Sequence, residues 1–309
     1  MTFVSLSKFI PHTRSAMSVR GKAQQLDVVL GPNYRAAVVY SPRTSNFIAL
    51  ELSSMLGDNE DPWPLLDKVI DDPSLLSEGV REHVTRTTRD KWQAVREKRP
   101  ERRGLLELLA RFELPPQQAT RLYVVEERES LWPGVTDSAL LDNPYLLYEL
   151  DRVSIEPVSI WTTDGGVFPP PAVRDAHPLS EPTRVDDPTD GRRVRALAIE
   201  SLERDASEGH TVRPRSAVVR AVRGFALDPP CPVDGDLMDL VEAQFEPHMA
   251  ITEMATGETA YQLERLQATS VLLRNFVQKR TQGARHELDA DWHGLLNEEL
   301  GSSGKEDEL

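Results

Sequence analysis

Residues 191–223 read GRRVRALAIESLERDASEGHTVRPRSAVVRAVR and predict two helices joined by a short turn. Gly209 is the residue type that most often ends a helix, because it adopts the left-handed conformation at little steric cost. Pro214 fits the first turn of the helix that follows, where a missing N–H costs nothing. Apolar residues recur at helical spacing through the first helix and indicate one buried face: Val194, Leu197, Ala198, Leu202 and Ala206.

A third helix and a β-hairpin follow this pair. The stretch Asp236–Phe245 has apolar residues at helical spacing. Residues 249–254 and 259–263 are β-rich runs on either side of a turn that contains Gly257. Three helices followed by a hairpin is the order of a winged helix. We therefore predict a winged-helix-like domain over residues 191–285.

The first part of the chain predicts a small β-meander. Three short runs of β-forming residues, 26–30, 36–40 and 47–52, are separated by turns that contain proline. Three strands make a stable sheet only when another element covers one face. We predict a small β-rich domain over residues 1–59.

Residues 60–156 have helical patterns. The polar stretch Val80–Lys98 predicts one helix, and the leucine-rich stretch 104–123 predicts a tight helical hairpin interrupted by two prolines. Asn143 is a favoured N-cap and Pro144 fits the first position of a helix, so another helix begins there. This region is predicted to be helix-hairpin-helix-like, and the fold class of the chain is α+β, mostly helical.

Residues 157–190 contain seven prolines and an Asp-Gly-Gly sequence. Helix is not expected to persist through such a stretch. We predict a proline-rich connector there, which is also the main domain boundary. Beyond the winged-helix-like domain, which ends in a long helix over Leu263–Lys279, residues 286–309 predict an acidic tail.

The charge of the chain is large and unevenly distributed. The 309 residues carry a formal charge of −14, yet residues 81–103 have a net charge of +5 and residues 191–223 a net charge of +4. Residues 226–258 contain eight acids and no Lys or Arg. Such an acidic chain is not expected to coat nucleic acid, but a local arginine cluster can still bind phosphate.

Composition also excludes several classes of protein. The single cysteine, Cys231, excludes a disulfide scaffold and fits a reducing, cytoplasmic environment. No apolar run approaches the ~18 residues that a membrane span needs, so no membrane association is expected. The phosphate-binding loop GxxxxGK[ST] and the nucleophile elbow GxSxG are both absent. We expect no catalytic residues, no cofactor and no metal in this chain, and no ATPase activity.

The order of the motifs resembles the N-terminal, pre-motor region of RecD-like superfamily 1 DNA helicases. The resemblance covers roughly residues 100–281. It is carried, in sequence order, by GLLELLARF at 104–112, LPPQQATRLY at 114–123, NPYLL at 143–147, RRVRAL at 192–197, EGHT at 208–211 and YQLERL at 261–266. The stretch Val153–Phe168 departs from the family, which usually has a second glycine-containing hairpin there.

The resemblance implies a non-catalytic, DNA-engaging accessory region of such a helicase. Its ATPase motor, with ATP and magnesium, would lie outside these 309 residues, and a motor in cis or in trans would be a partner. Weak, sequence-independent DNA binding is expected from arginines at the helix starts and on the second helix of the 191–223 unit: Arg192, Arg193, Arg195, Arg213, Arg215, Arg220 and Arg223. The alternative is a protein-interaction scaffold that docks a basic partner on its acidic surfaces.

Overall fold

A computed structural model describes residues 3–5, 27–30, 36–39, 51–52, 54–56, 60–82, 84–112, 114–283 and 290–300. The described chain is mostly helical with small three-stranded sheets, which agrees with the predicted α+β class. It divides into two compact units, Met1–Glu264 and Arg265–Leu309. The predicted boundaries within the first unit stay predictions.

The N-terminal sheet contains β1 (Phe3–Ser5), β2 (Asp27–Leu30) and β3 (Ala36–Val39). β2 and β3 pair antiparallel, as the first two strands of the predicted meander should, while β1 pairs with β2 in parallel. The third predicted strand is wrong at Glu51 and Leu52, which are helical, and its residues 47–50 lie outside the described part. Glu51 accepts hydrogen bonds from the backbone and hydroxyl of Ser77, a distant contact that the local pattern does not contain.

The helical region has short helices with well-defined ends. The predicted helix Val80–Lys98 is two pieces, because Thr85 caps a new helix by accepting a hydrogen bond from the backbone of Thr88. The helices are α1 (Pro62–Asp71), α2 (Glu78–Arg81), α3 (Arg86–Lys98), α4 (Pro100–Leu109), α5 (Pro116–Tyr123), α6 (Val125–Leu131), α7 (Asp137–Asp142) and α8 (Leu146–Asp151).

The predicted hairpin is formed by α4 and α5. Leu105, Leu109 and Leu122 have no exposed surface, so the leucine stripe lies in the core. Asn143 accepts a hydrogen bond from the backbone of Tyr145 and thereby fixes the turn that leads into α8.

Residues 157–190 contain helices, contrary to the prediction. α9 (Ile160–Val167) passes through the two glycines, and α10 (Pro171–Ala176) begins at a proline. Close packing requires glycine at position 166, because a Cβ atom there would lie 2.1 Å from Cδ1 of Phe112. The prolines flank or open these helices, and Val158, Val167 and Phe168 are buried, so the first part of this stretch belongs to the packed core, whereas most of residues 170–190 are not buried.

The next part of the chain follows the predicted order. It contains α11 (Gly191–Ser207), β4 (Arg213–Pro214), α12 (Arg215–Arg223), α13 (Gly235–Val241), a 3₁₀ turn (Glu242–Gln244), β5 (Met249–Glu253) and β6 (Thr259–Leu263). The strands form an antiparallel sheet in the order β4-β6-β5. Gly209 and Gly257 have φ values of +92° and +83°, as a helix C′ position and a hairpin turn require.

A long helix, α14 (Glu264–Gln282), begins at the end of the first unit and continues into the second, which also contains α15 (Trp292–Leu300). The predicted helix Leu263–Lys279 therefore agrees with the structure to within a few residues. Part of the predicted acidic tail is helical in α15. In the described part of the chain, every helix is too short or too polar to cross a membrane.

Candidate nucleic-acid interface

Arg193 on α11 is completely buried. Its Nε and Nη2 atoms donate to the two carboxylate oxygens of Asp164 on α9, at 2.7 and 2.8 Å. Nη1 and Nη2 also donate to the backbone carbonyls of Pro188 and Pro229. The hydroxyl of Tyr145 donates to the same Asp164 at 2.7 Å. This arginine therefore joins four parts of the chain.

The electrostatics of this cluster favour the ion pair. Burial alone disfavours a charged Arg193, but the hydrogen bonds and charge of Asp164 outweigh burial, so the pKa of Arg193 is raised. Burial, with the nearby carboxylate, raises the pKa of Tyr145 well above its usual value and keeps the phenol protonated. A phosphate could reach Arg193 only by displacing Asp164 from a buried site.

Arg195, two residues further along α11, forms a second bidentate pair with the buried Glu149. Its Nε and Nη2 atoms donate to both oxygens of Glu149 at 2.9 and 2.7 Å, and Glu149 has no exposed surface. Burial raises the pKa of Glu149, while Arg195 and Arg152 oppose that rise. Burial also lowers the pKa of the adjacent His248 to about 4, with further contributions from Arg152 and Arg195. His248 is therefore neutral near pH 7.

Arg192 is held at the start of α11. Asp190, the N-cap residue of this helix, accepts hydrogen bonds from the Arg192 backbone and from its side chain at 2.8–3.0 Å. The guanidinium also donates to three backbone carbonyls, those of Asp142, Pro182 and Arg184. All three predicted α11 arginines are thus engaged in contacts that hold the fold together.

The arginines around the start of α12 are partly engaged. Arg213 pairs with Asp205 at 2.9 Å, and Arg215 pairs with Asp239 on α13. Each arginine side chain keeps 30% of its surface exposed. These two residues can contact a ligand only in competition with carboxylates that already neutralise them.

Arg220 and Arg223, in the last turns of α12, are different. Both are exposed, and no carboxylate oxygen of the described residues lies within 4 Å of either guanidinium. The structure therefore separates the seven predicted residues into a held group on α11, a paired group around β4 and an available pair at the end of α12.

Sequence reasoning missed three side chains beside this available pair. Phe225 follows Arg223 by two residues, and its ring makes an edge contact with Trp161 of α9, with centroids 5.6 Å apart. Arg204 of α11 lies over both rings, with its Cζ 4.6 Å from the Trp161 centroid and 5.0 Å from that of Phe225. Trp161 is 43 residues from Arg204 in the sequence, so no local pattern connects them.

The surface of α13 and the β5–β6 turn has the opposite charge. Residues 224–264 contain no Lys or Arg. Asp236 is exposed on α13, Asp239 pairs with Arg215, and Glu258 in the turn accepts a hydrogen bond from Ser216. Leu240, between these acids, is 77% exposed. Within the described ranges, no three His, Cys, Asp or Glu side chains converge as a metal site would require.

Comparison with known proteins gives no match. No family model, no curated protein and no solved structure is significantly similar to this chain.

Proposed function

We propose that this chain is a non-catalytic accessory region of a RecD-like helicase that engages DNA phosphates through Arg220 and Arg223. The observation that carries the proposal is the availability of these two side chains. They are exposed and have no described carboxylate partner, whereas the three predicted arginines at the start of α11 have buried or capping partners. Phosphate contacts of this kind position a protein on DNA without selecting a sequence.

The topology of residues 191–264 supports the winged-helix-like domain that the proposal includes. Helices α11, α12 and α13 precede the hairpin β5–β6, and the short strand β4 pairs on the outer side of β6. A helix-turn-helix places the second of its two helices in the major groove. In a winged helix those two helices are the last two before the hairpin, here α12 and α13, so the helix in the groove would be α13. Its exposed acids would be repelled by DNA, so we assign the contact to α12 instead.

The charge distribution limits the strength of binding. The chain as a whole repels phosphate, but at physiological salt charges are screened beyond about 8 Å, so a local pair can act. Each phosphate contact with duplex DNA contributes about 0.9 to the slope of log affinity against log salt. Two arginines therefore predict weak binding with a slope of about −2.

Fluorescence anisotropy with a labelled DNA of mixed sequence tests the proposal. The double variant Arg220→Glu, Arg223→Glu should lose binding at low salt. A matched control, Arg86→Glu with Arg89→Glu, makes the same change in net charge on the exposed face of α3. The control should bind as the parent does, because the effect is local.

Two outcomes would contradict this function. The parent could fail to bind DNA at all, or the α12 variant could bind as tightly as the parent while circular dichroism shows that it is folded. Equal losses in both double variants would show a dependence on overall charge rather than a site on α12.

The acidic surface of α13 favours the second candidate, a scaffold that docks a basic partner. Its supporting observation is the exposed Leu240 among acids in a stretch without basic residues. Asp236→Lys with Leu240→Ser should then abolish co-elution with a Lys- or Arg-rich partner and leave DNA binding intact. Loss of that partner in the Arg220→Glu, Arg223→Glu variant would contradict this assignment.

A further inference from the structure

The guanidinium of Arg204 lies over two aromatic rings and is paired with a carboxylate on its own helix. Glu200, one turn earlier on α11, accepts a hydrogen bond from its Nε at 2.8 Å. Trp161 and Phe225 lie beneath the group, and both rings are half-buried. The Arg204 side chain nevertheless keeps 54% of its surface exposed. A planar cation is therefore restrained by a carboxylate and two rings while its side chain stays partly open to solvent.

Such a group has a recognisable use in nucleic-acid recognition. Unpaired bases stack on aromatic rings and on the planar face of arginine, whereas bases in a duplex are already stacked on one another. Because Glu200 and the two rings restrict Arg204 before any ligand arrives, less side-chain entropy is lost on stacking.

The neighbouring charges fit a strand rather than an isolated base. Phe225 is joined to the end of α12 by hydrogen bonds from Gly224 to Arg220 and from Phe225 to Val222. This turn places the ring of the cluster next to the helix end that carries Arg220 and Arg223. A single strand could thus stack a base on Arg204 while its phosphates contact Arg220 and Arg223.

We propose that Arg204, Trp161 and Phe225 form a stacking platform for an unpaired base, which makes this interface selective for single-stranded nucleic acid. The inference rests on the proposed function, since the platform alone supplies little charge. The platform contacts the base and not the sugar, so single-stranded DNA and RNA are both ligands.

The test compares the affinities of three probes for the full chain: a single strand, its duplex, and a strand of the same length whose central nucleotides are abasic. The single strand should bind about tenfold more tightly than the other two, which is the size expected for one stacked base. It should also quench tryptophan fluorescence, and the abasic strand should not. DNA and RNA strands of the same sequence should quench similarly.

Two variants assign the effect to the platform. Arg204→Lys keeps the charge and the Glu200 pair but lacks the planar face, so its single-strand affinity should fall to that of the duplex with no change in duplex affinity. Trp161→Phe keeps a ring and should remove the quenching. Both substitutions are conservative and leave helix-forming residues in place.

The outcomes separate this inference from the function on which it rests. If all three probes bind equally, Arg204→Lys is silent and the Arg220→Glu, Arg223→Glu variant still loses binding, the platform is wrong and the DNA contact stands. If neither single strand nor duplex binds the parent, both proposals fail. Quenching that persists in Trp161→Phe would also contradict the platform.

Discussion

Helices α11 and α12 are neighbours with similar arginine content, yet their arginines do different things. On α11, Arg193 and Arg195 form bidentate pairs with Asp164 and Glu149, both of which are buried. At the end of α12, Arg220 and Arg223 face solvent without a described carboxylate. The difference lies in what packs against each helix, because the partner carboxylates come from α8 and α9.

This comparison shows that arginine content alone does not identify a nucleic-acid surface. A buried pair of an arginine and a carboxylate costs desolvation energy. The attraction and hydrogen bonds between the two groups offset that cost only when their geometry is complete. Once complete, such a pair resists displacement by a ligand. An exposed arginine gives little stability and remains free to bind, so changes at Arg193 and Arg195 should affect mainly stability, and changes at the two α12 arginines should affect mainly binding.

The largest expected effect is on stability. Arg193→Ala leaves the carboxylate of Asp164 buried without its cation and should lower the free energy of unfolding by about 3–5 kcal/mol. Arg220→Ala, its exposed counterpart, should change stability by less than about 0.5 kcal/mol. Urea unfolding of both variants measures the contrast, and similar losses would remove the distinction between the two helices.

His248 is the titratable histidine of the side-chain cluster that it forms with Arg195, Glu149 and Arg152. Its folded pKa of about 4 is below the unfolded value of 6.5, so the unfolded chain binds the extra proton first as pH falls. The stability that a neutral His248 gives is complete above pH 6.5 and decreases toward pH 4, by at most about 3 kcal/mol. An NMR titration of the imidazole measures this, and a midpoint near 6.5 would show that the cluster is open to water.

Arg215 is the intermediate case between the two helices. Its pair with Asp239 is partly exposed, so Arg215→Ala should cost only about 0.2–1 kcal/mol. The cost should shrink at high salt, whereas that of Arg193→Ala should not. A loss above about 2 kcal/mol in thermal unfolding would mean that α12 is held by charge pairs as firmly as α11.

Local signals predicted the framework of residues 191–264 but not its contacts. Gly209, Pro214 and the Gly257 turn mark helix and hairpin ends, and each acts within a few residues of itself. The Arg193–Asp164 pair spans 29 residues and depends on how α9 packs, which no local pattern contains. The sequence pattern did not predict α9 for the same reason. Glycine is needed at position 166 because the ring of Phe112 packs against it, and it does not mark the end of a helix.

Arginine-selective chemical modification, mapped residue by residue with and without single-stranded DNA, distinguishes the engaged arginines of α11 from the available arginines of α12. Phenylglyoxal should modify Arg220 and Arg223 in the free protein, and DNA should protect both. Arg193 and Arg195 should stay unmodified in either case until the chain unfolds, because their donors are engaged with buried carboxylates. Modification of Arg193 or Arg195 in the folded protein, or equal modification of Arg220 and Arg223 with and without bound DNA, would contradict the account.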